Sequence, residues 1–302
     1  MIKKFSLILI LISFSKSFGI CQQSSDINSN TLDFVDNKDV LLNRFSFNPS
    51  LLTDSNKILV DFLVHDQWIG SLESNSGFFL KGETGLLSKN ISFGLLLDYK
   101  QYGLFEHRSI IGGVKKGISI GSNSIIDLGL NLGLLQSRMD VSGLILPQPD
   151  PLIDGKTVWS GFPIIDFGVL YRFKNQNVGL SYKNLIDRKY EFQSSEYMLR
   201  QNGLIANYQG VYSLTDKINV TPEIFGCFSS TESYAIVLGR VSYKNFFSAG
   251  LLYNSNNSYG FLISGTLFKR VKIGYFYDYE TEKAYNNQTI GSHGLNLGLI
   301  LK

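Results

Sequence analysis

From Ile126 to Leu134 the even positions are Ile126, Leu128, Leu130, Leu132 and Leu134, and the odd ones are Asp127, Gly129, Asn131 and Gly133. Alternation with period two puts successive side chains on opposite faces of a strand, here one oily and one polar or small. The split recurs where Val271, Ile273, Tyr275, Tyr277 and Tyr279 oppose Lys272, Gly274, Phe276 and Asp278. It recurs again where Leu295, Leu297, Leu299 and Leu301 alternate with Gly294, Asn296, Gly298 and Ile300. Segments of this kind, bounded by turn residues, predict strands near 57–66, 76–86, 91–100, 107–117, 124–136, 163–173, 177–186, 204–213, 217–228, 232–243, 245–254, 258–268, 270–280 and 290–301.

These are about fourteen strands of about ten residues, whereas strands of soluble proteins run about five to six and tilted membrane-spanning strands need about nine to eleven. The prediction is therefore an all-β fold, a transmembrane antiparallel up-and-down β-barrel with its apolar face toward lipid. Connection lengths agree. After even-numbered strands come short links at Leu87–Asn90, Ile118–Asn123, Lys174–Gln176, Thr215–Asp216, Lys244 and Lys269. The longest, 137–162, 187–203 and 281–289, follow odd-numbered strands, matching short periplasmic turns and longer external loops. Tyr99, Tyr171, Tyr253, Tyr277 and Tyr279 fall near strand ends, where interfacial girdles sit.

The N-terminus reads as an export signal. Lys3 and Lys4 precede an apolar run from Phe5 to Phe14, and Gly19 and Cys21 stand before Gln22. We place cleavage after Cys21, giving a signal peptide over 1–21, a periplasmic segment over 22–56 and the barrel over 57–302. A lipidated Cys21 is the competing reading, though Ile20 is larger than the residue such a site prefers. The apolar run is shorter than the roughly 20 residues a spanning helix needs. In the segment over 22–56, a polar lead-in precedes an apolar patch from Val40 to Phe47 that is expected to dock at the periplasmic mouth.

Composition sharpens this in two places. Of the 28 basic residues the leader carries Lys3, Lys4 and Lys16 and no acid, so 25 remain against 25 acidic ones. A mature chain of zero net charge gives no support for nucleic-acid binding. Losing Cys21 leaves Cys227 alone, with no intrachain disulfide to form.

Catalytic chemistry has little to work with. His65, His107 and His293 lie far apart with no metal-ligand spacing, and no nucleophile-elbow, phosphate-loop or dinucleotide motif occurs. Asp150, Asp154 and Asp166 hint at a cation site, but their spacing matches no calcium loop and solvated loop acids are the simpler account. We therefore expect no enzyme, cofactor or metal. Lys115, Asp127, Arg172, Lys183 and Asp278 are expected to line or plug the lumen. Asn48 and Pro49 stop the N-terminal segment before the first strand, since proline cannot join a ladder and restrains the residue before it. At that strand's far end stand His65, Asp66, Gln67 and Trp68, the last suited either to a girdle or to a partner.

The set formed by Asn48 and Pro49, then Asp66, Gln67 and Trp68, a long loop before 163, and Ser292 with His293 opening the final strand resembles the PorP/SprF family. The likeness runs from about 45 to 302. Departures are Ser50, Leu51 and Leu52 in place of a small residue and glycine, His65 where arginine is common, and the absence of a terminal aromatic at Leu301 and Lys302. The resemblance implies an outer-membrane barrel of Bacteroidota tied to type IX secretion and gliding motility. It implies help in exporting or surface-anchoring cargo proteins, and contact with type IX or gliding components and a periplasmic peptidoglycan-binding partner. A porin or hydrophobic-solute transporter is the alternative; lumen polarity favours it, and inward Phe276 and Ile111 speak against an open channel. A hydrolase would need a Ser and His pair at the rim, and adjacent Ser292 and His293 point to opposite faces.

Overall fold

The computed structural model describes residues 43–67, 75–102, 105–139, 158–186, 188–192, 195–200, 202–229, 233–244, 246–256, 258–280 and 291–301. The strands are β1 (Ile58–Gln67), β2 (Asn75–Leu86), β3 (Ile91–Tyr102), β4 (Phe105–Gly121), β5 (Ser124–Met139), β6 (Val158–Phe173), β7 (Gln176–Lys183), β8 (Arg188–Phe192), β9 (Ser195–Arg200), β10 (Gly203–Gly210), β11 (Tyr212–Thr215), β12 (Ile218–Ser229), β13 (Ser233–Tyr243), β14 (Phe247–Asn254), β15 (Ser258–Leu267), β16 (Val271–Glu280) and β17 (Ser292–Leu301). All pairings are antiparallel, and β8 and β9 form a hairpin of their own. The first and last strands close the wall, with Ile58 opposite Leu301 and Asp66 opposite His293. On the other side β10 joins both β7 and β12. With β11 continuing β10, the result is a closed barrel of fourteen staves.

All fourteen predicted strands are present. Three are longer than expected: β4 has 17 residues and β5 and β6 have 16 each. The predicted 137–162 loop is thus partly strand, and the 187–203 loop contains β8 and β9. The predicted strand 204–213 is interrupted at Val211, where the chain leaves β7 behind and pairs on with β12 alone.

The alternation read from the sequence sorts the two faces. Leu128, Leu132 and Leu134 are exposed on the outer wall while Asp127 and Asn131 are wholly buried inside. The same holds for Ile273 against Phe276, and for Leu295, Leu297 and Leu299 against Ser292 and Asn296. Outward aromatics gather near strand ends: Tyr99 stacks on Phe78 at 5.3 Å and Tyr253 lies 5.1 Å from Tyr259. Around most of the wall such a barrel satisfies its backbone within the ladder and meets lipid with side chains.

A cation on the lipid face should be costly. Leu132→Arg, placed at an outer-wall position opposite Gly112 and Ile165, is expected to destabilise the barrel by roughly 2–4 kcal/mol if it lies near the bilayer midplane. Equilibrium denaturant unfolding in lipid vesicles, read against Leu132→Ala, measures it.

Candidate functional site

The lumen is filled, and the filling begins with the N-terminal segment. Phe45, Phe47 and Leu52 are each at most 2% exposed, and Asn48 is fully buried. The expected docking at the periplasmic mouth is therefore an insertion into the barrel, for the part of the 40–47 patch that is described; Val40 to Leu42 lie outside the described residues. Insertion follows from apolar burial, roughly 1.5–3 kcal/mol for each large side chain. Phe47 meets Phe225 edge to face, with ring centroids 5.2 Å apart.

Asn48 and Pro49 form the hinge of this plug. Pro49 opens a single helical turn, Pro49–Leu51, at the position where its missing N–H costs nothing. Asn48 caps that turn: its Oδ1 accepts from Ser50 N at 3.0 Å and from the Ser50 hydroxyl at 2.5 Å. Its Nδ2 donates to Asn207 Oδ1 at 2.9 Å across the lumen. The main chain is held as well, because Asn131 Nδ2 donates to Phe45 O at 3.0 Å and Ser181 Oγ to Phe47 O at 2.6 Å.

Inward glycines make the room. A Cβ on Gly129 would stand 2.3 Å from Ser50 N, and one on Gly168 would stand 2.2 Å from Asn48 Oδ1. A Cβ on Gly94 would meet Leu52 at 2.5 Å. The small residues in the alternating pattern are thus a seat for the plug, a role the pattern alone did not disclose.

Ion pairs fix the described segment near both of its ends. Arg44 pairs with Glu223 at 2.6 Å, and Glu223 also faces Arg240 at 3.2 Å. Asp54 takes Lys115 at 2.6 Å and Arg172 at 2.5 Å, while Arg172 also reaches Asp127 at 2.5 Å. Lys115 further donates to Leu52 O. Thr53 N donates to Glu83 Oε2 at 3.0 Å, and Glu83 is itself paired with Lys81 at 2.8 Å. The predicted lumen charges Lys115, Asp127, Arg172, Lys183 and Asp278 all lie on the inner face; Lys115 and Arg172 hold the plug, and Asp127 holds Arg172.

Around the plug, apolar side chains are interspersed among these polar ones. A buried cluster joins Phe45, Phe47 and Leu52 to inward residues from each of β1 to β6, β10 and β12 to β16, among them Leu63, Phe79, Ile111, Ile236 and Phe276. Cys227 is a buried member of the same cluster.

The sequence motifs part into two places. Asn48 and Pro49 sit in the plug, whereas Asp66 and Gln67 meet Ser292 and His293 at the external end of the β1–β17 seam. There Gln67 and Ser292 point inward and Asp66 points outward. His293 also faces outward, with Nδ1 2.6 Å from the Tyr275 hydroxyl and its ring edge-on to Tyr277. Trp68 lies outside the described residues. Of the acids weighed for a cation, Asp150 and Asp154 also lie outside them, and Asp166 is no loop residue. It stands in the lumen, accepting from Asn184 N at 2.9 Å and Asn131 Nδ2 at 3.3 Å.

A family model described as type IX secretion system membrane protein PorP/SprF matches residues 37–299. No curated protein matches the chain. Among solved structures, the chain is similar to the monoaromatic hydrocarbon channel CymD, with 10% identity over 89% of this chain and 92% of that one and a TM-score of 0.48. It is similar also to the outer membrane protein Omp33 of Acinetobacter baumannii, with 8% identity over 82% of this chain and 99% of that one and a TM-score of 0.47. A third is the toluene transporter TodX of Pseudomonas putida, with 10% identity over 90% and 94% and a TM-score of 0.45.

The seat can be tested directly. In a Cys227→Ser background, Ser50→Cys is expected to resist a membrane-impermeant maleimide in the purified barrel. Adding Gly129→Val, whose side chain would collide with backbone that cannot yield, should expose it to labelling while the barrel keeps its heat-modifiable gel mobility.

Proposed function

Because this chain belongs to the PorP/SprF family of type IX secretion system membrane proteins and is an outer-membrane β-barrel, we propose that it assists the export or surface anchoring of particular cargo proteins as a non-enzymatic accessory of that machinery. The observation that carries the reading beyond family membership is the filled lumen. A segment seated by Asn48, clamped by Arg44 and Asp54, and embedded in an apolar cluster drawn from most staves leaves the barrel suited to docking rather than to conduction. External segments between β5 and β6 and between β7 and β10 would engage cargo or machinery. The periplasmic end, where residues 52–57 lead into β1, would engage a periplasmic peptidoglycan-binding partner. No residue of the lumen is assigned a reaction in this reading.

Two measurements test it. Deleting the gene should remove one or a few proteins from the cell surface, or strand them in the periplasm, with the rest of the secreted set unchanged. The purified barrel should be silent in planar bilayers. An unchanged set of surface proteins together with steady conductance and reduced small-solute uptake would overturn the proposal in favour of a transporter.

A further inference from the structure

The barrel wall is uneven, and one strand is left with a bare edge. The β5–β6 pairing runs from Ser124 opposite Phe173 up to Met139 opposite Val158. On its other side β6 pairs with β7 only from Phe173 to Phe167, with one more bond where Leu185 N donates to Ile165 O at 3.0 Å. Among the described residues nothing pairs with Val158–Ile164 on that side, because β7 ends at Lys183 and the chain returns in β10 at Gly203.

Parity tells which groups are free. The Ile165 carbonyl points toward β7, so the odd positions of β6 aim their backbone groups at the bare side, and the even ones serve β5. At the other end Lys174 N donates to Asn123 O at 3.2 Å, in keeping with this division. The free set is therefore the N–H and C=O of Trp159 and Gly161 and the C=O of Pro163. Pro163 lacks its N–H on this side, where proline is tolerated in a strand.

The height of this edge decides what can cover it. Cross-strand rows place Pro163 beside Leu134, Ile110 and Leu97, all exposed on the apolar belt, and Gly161 beside Gln136, Arg108 and Tyr99. Arg108 lies over both Tyr99 and Trp159, at 5.9 and 5.7 Å, marking the interfacial girdle. Lipid tails offer no hydrogen bonds to an open sheet edge. Across β6 from the bare side, a surface hollow of about 520 Å³ spans β4 to β6 and is lined by Ile110, Leu134, Gln136, Gly161 and Pro163.

We infer that the free edge of β6 at Trp159–Pro163 is a docking site for an extended segment of a partner polypeptide, which adds to the barrel wall as a strand. An extended chain presents donors and acceptors to an edge at the two-residue repeat this one requires, and it continues the sheet already present. The inference names the place of contact for the docking role proposed above and rests on that reading.

Site-resolved amide exchange tests it. In the purified barrel the Trp159 and Gly161 amides should exchange about tenfold or more faster than those of Ser160 and Phe162, which are bonded to β5. In the chain extracted from native membranes together with its secretion partners, the two should slow to the rate of their neighbours. Protection already present in the purified barrel would mean that the chain itself covers the edge, and would overturn the inference. So would fast exchange persisting in the native extract. The second arm is Gly161→Pro, which removes one free N–H and none that the barrel uses; Gly161 is not among the glycines with positive φ. It should keep heat-modifiable mobility yet lose the co-extracted partner, and retention of the partner overturns the inference. If the deletion strain keeps all its surface proteins, the secretion reading fails, whereas a bare edge in the purified barrel that becomes protected in membranes still stands.

Discussion

A bilayer interior gives a peptide group nothing to bond with, so every backbone N–H and C=O crossing it must find a partner in the wall itself. The antiparallel ladder from β1 around to β17, closed by Ile58 opposite Leu301, meets that demand almost everywhere. Closure also frees the inner face from lipid. Charges such as Asp127 and Lys115 can then be buried beside one another, since each meets an opposite partner rather than hydrocarbon.

What occupies the inside is a second consequence of the same geometry. A barrel of fourteen staves encloses more space than the inward side chains of its own strands would have to fill. Here a segment of the same chain takes up part of the difference. Inward glycines at Gly94, Gly129 and Gly168 lower the wall where Leu52, Ser50 and Asn48 approach. The segment is tied by polar bonds at its turn and by ion pairs at Arg44 and Asp54, so apolar burial and charge pairing act on the same fifteen or so residues. Removing Asn48 alone would leave the buried Asn207 amide without this partner, a loss of about 1–3 kcal/mol.

Where the ladder does not close, the wall changes character. Strands β5 and β6 rise well above β7 and β10, and the unpaired stretch of β6 carries Pro163 at a position that would break a central strand. The closed lower wall and the bare upper edge meet in one strand, which gives the barrel a fixed body and an unsaturated flank at the height of the apolar belt.

Much of this was legible in the sequence, because the facing of a strand residue depends only on its parity. The alternation of Leu128, Leu130, Leu132 and Leu134 with Asp127, Gly129, Asn131 and Gly133 set which residues meet lipid, and turn residues with even spacing set fourteen staves. Lumen charges and inward Phe276 and Ile111 followed from the same rule. The plug did not follow, since the Asn48 bond to Asn207 joins positions 159 residues apart and the glycines that admit it look like ordinary breaks in an oily pattern. Nor did the bare edge, which comes from the difference in height between two neighbouring hairpins. Local period is written in adjacent residues, whereas the fit of a segment to a lumen, and of one strand's length to the next, exists only once distant parts of the chain are brought together.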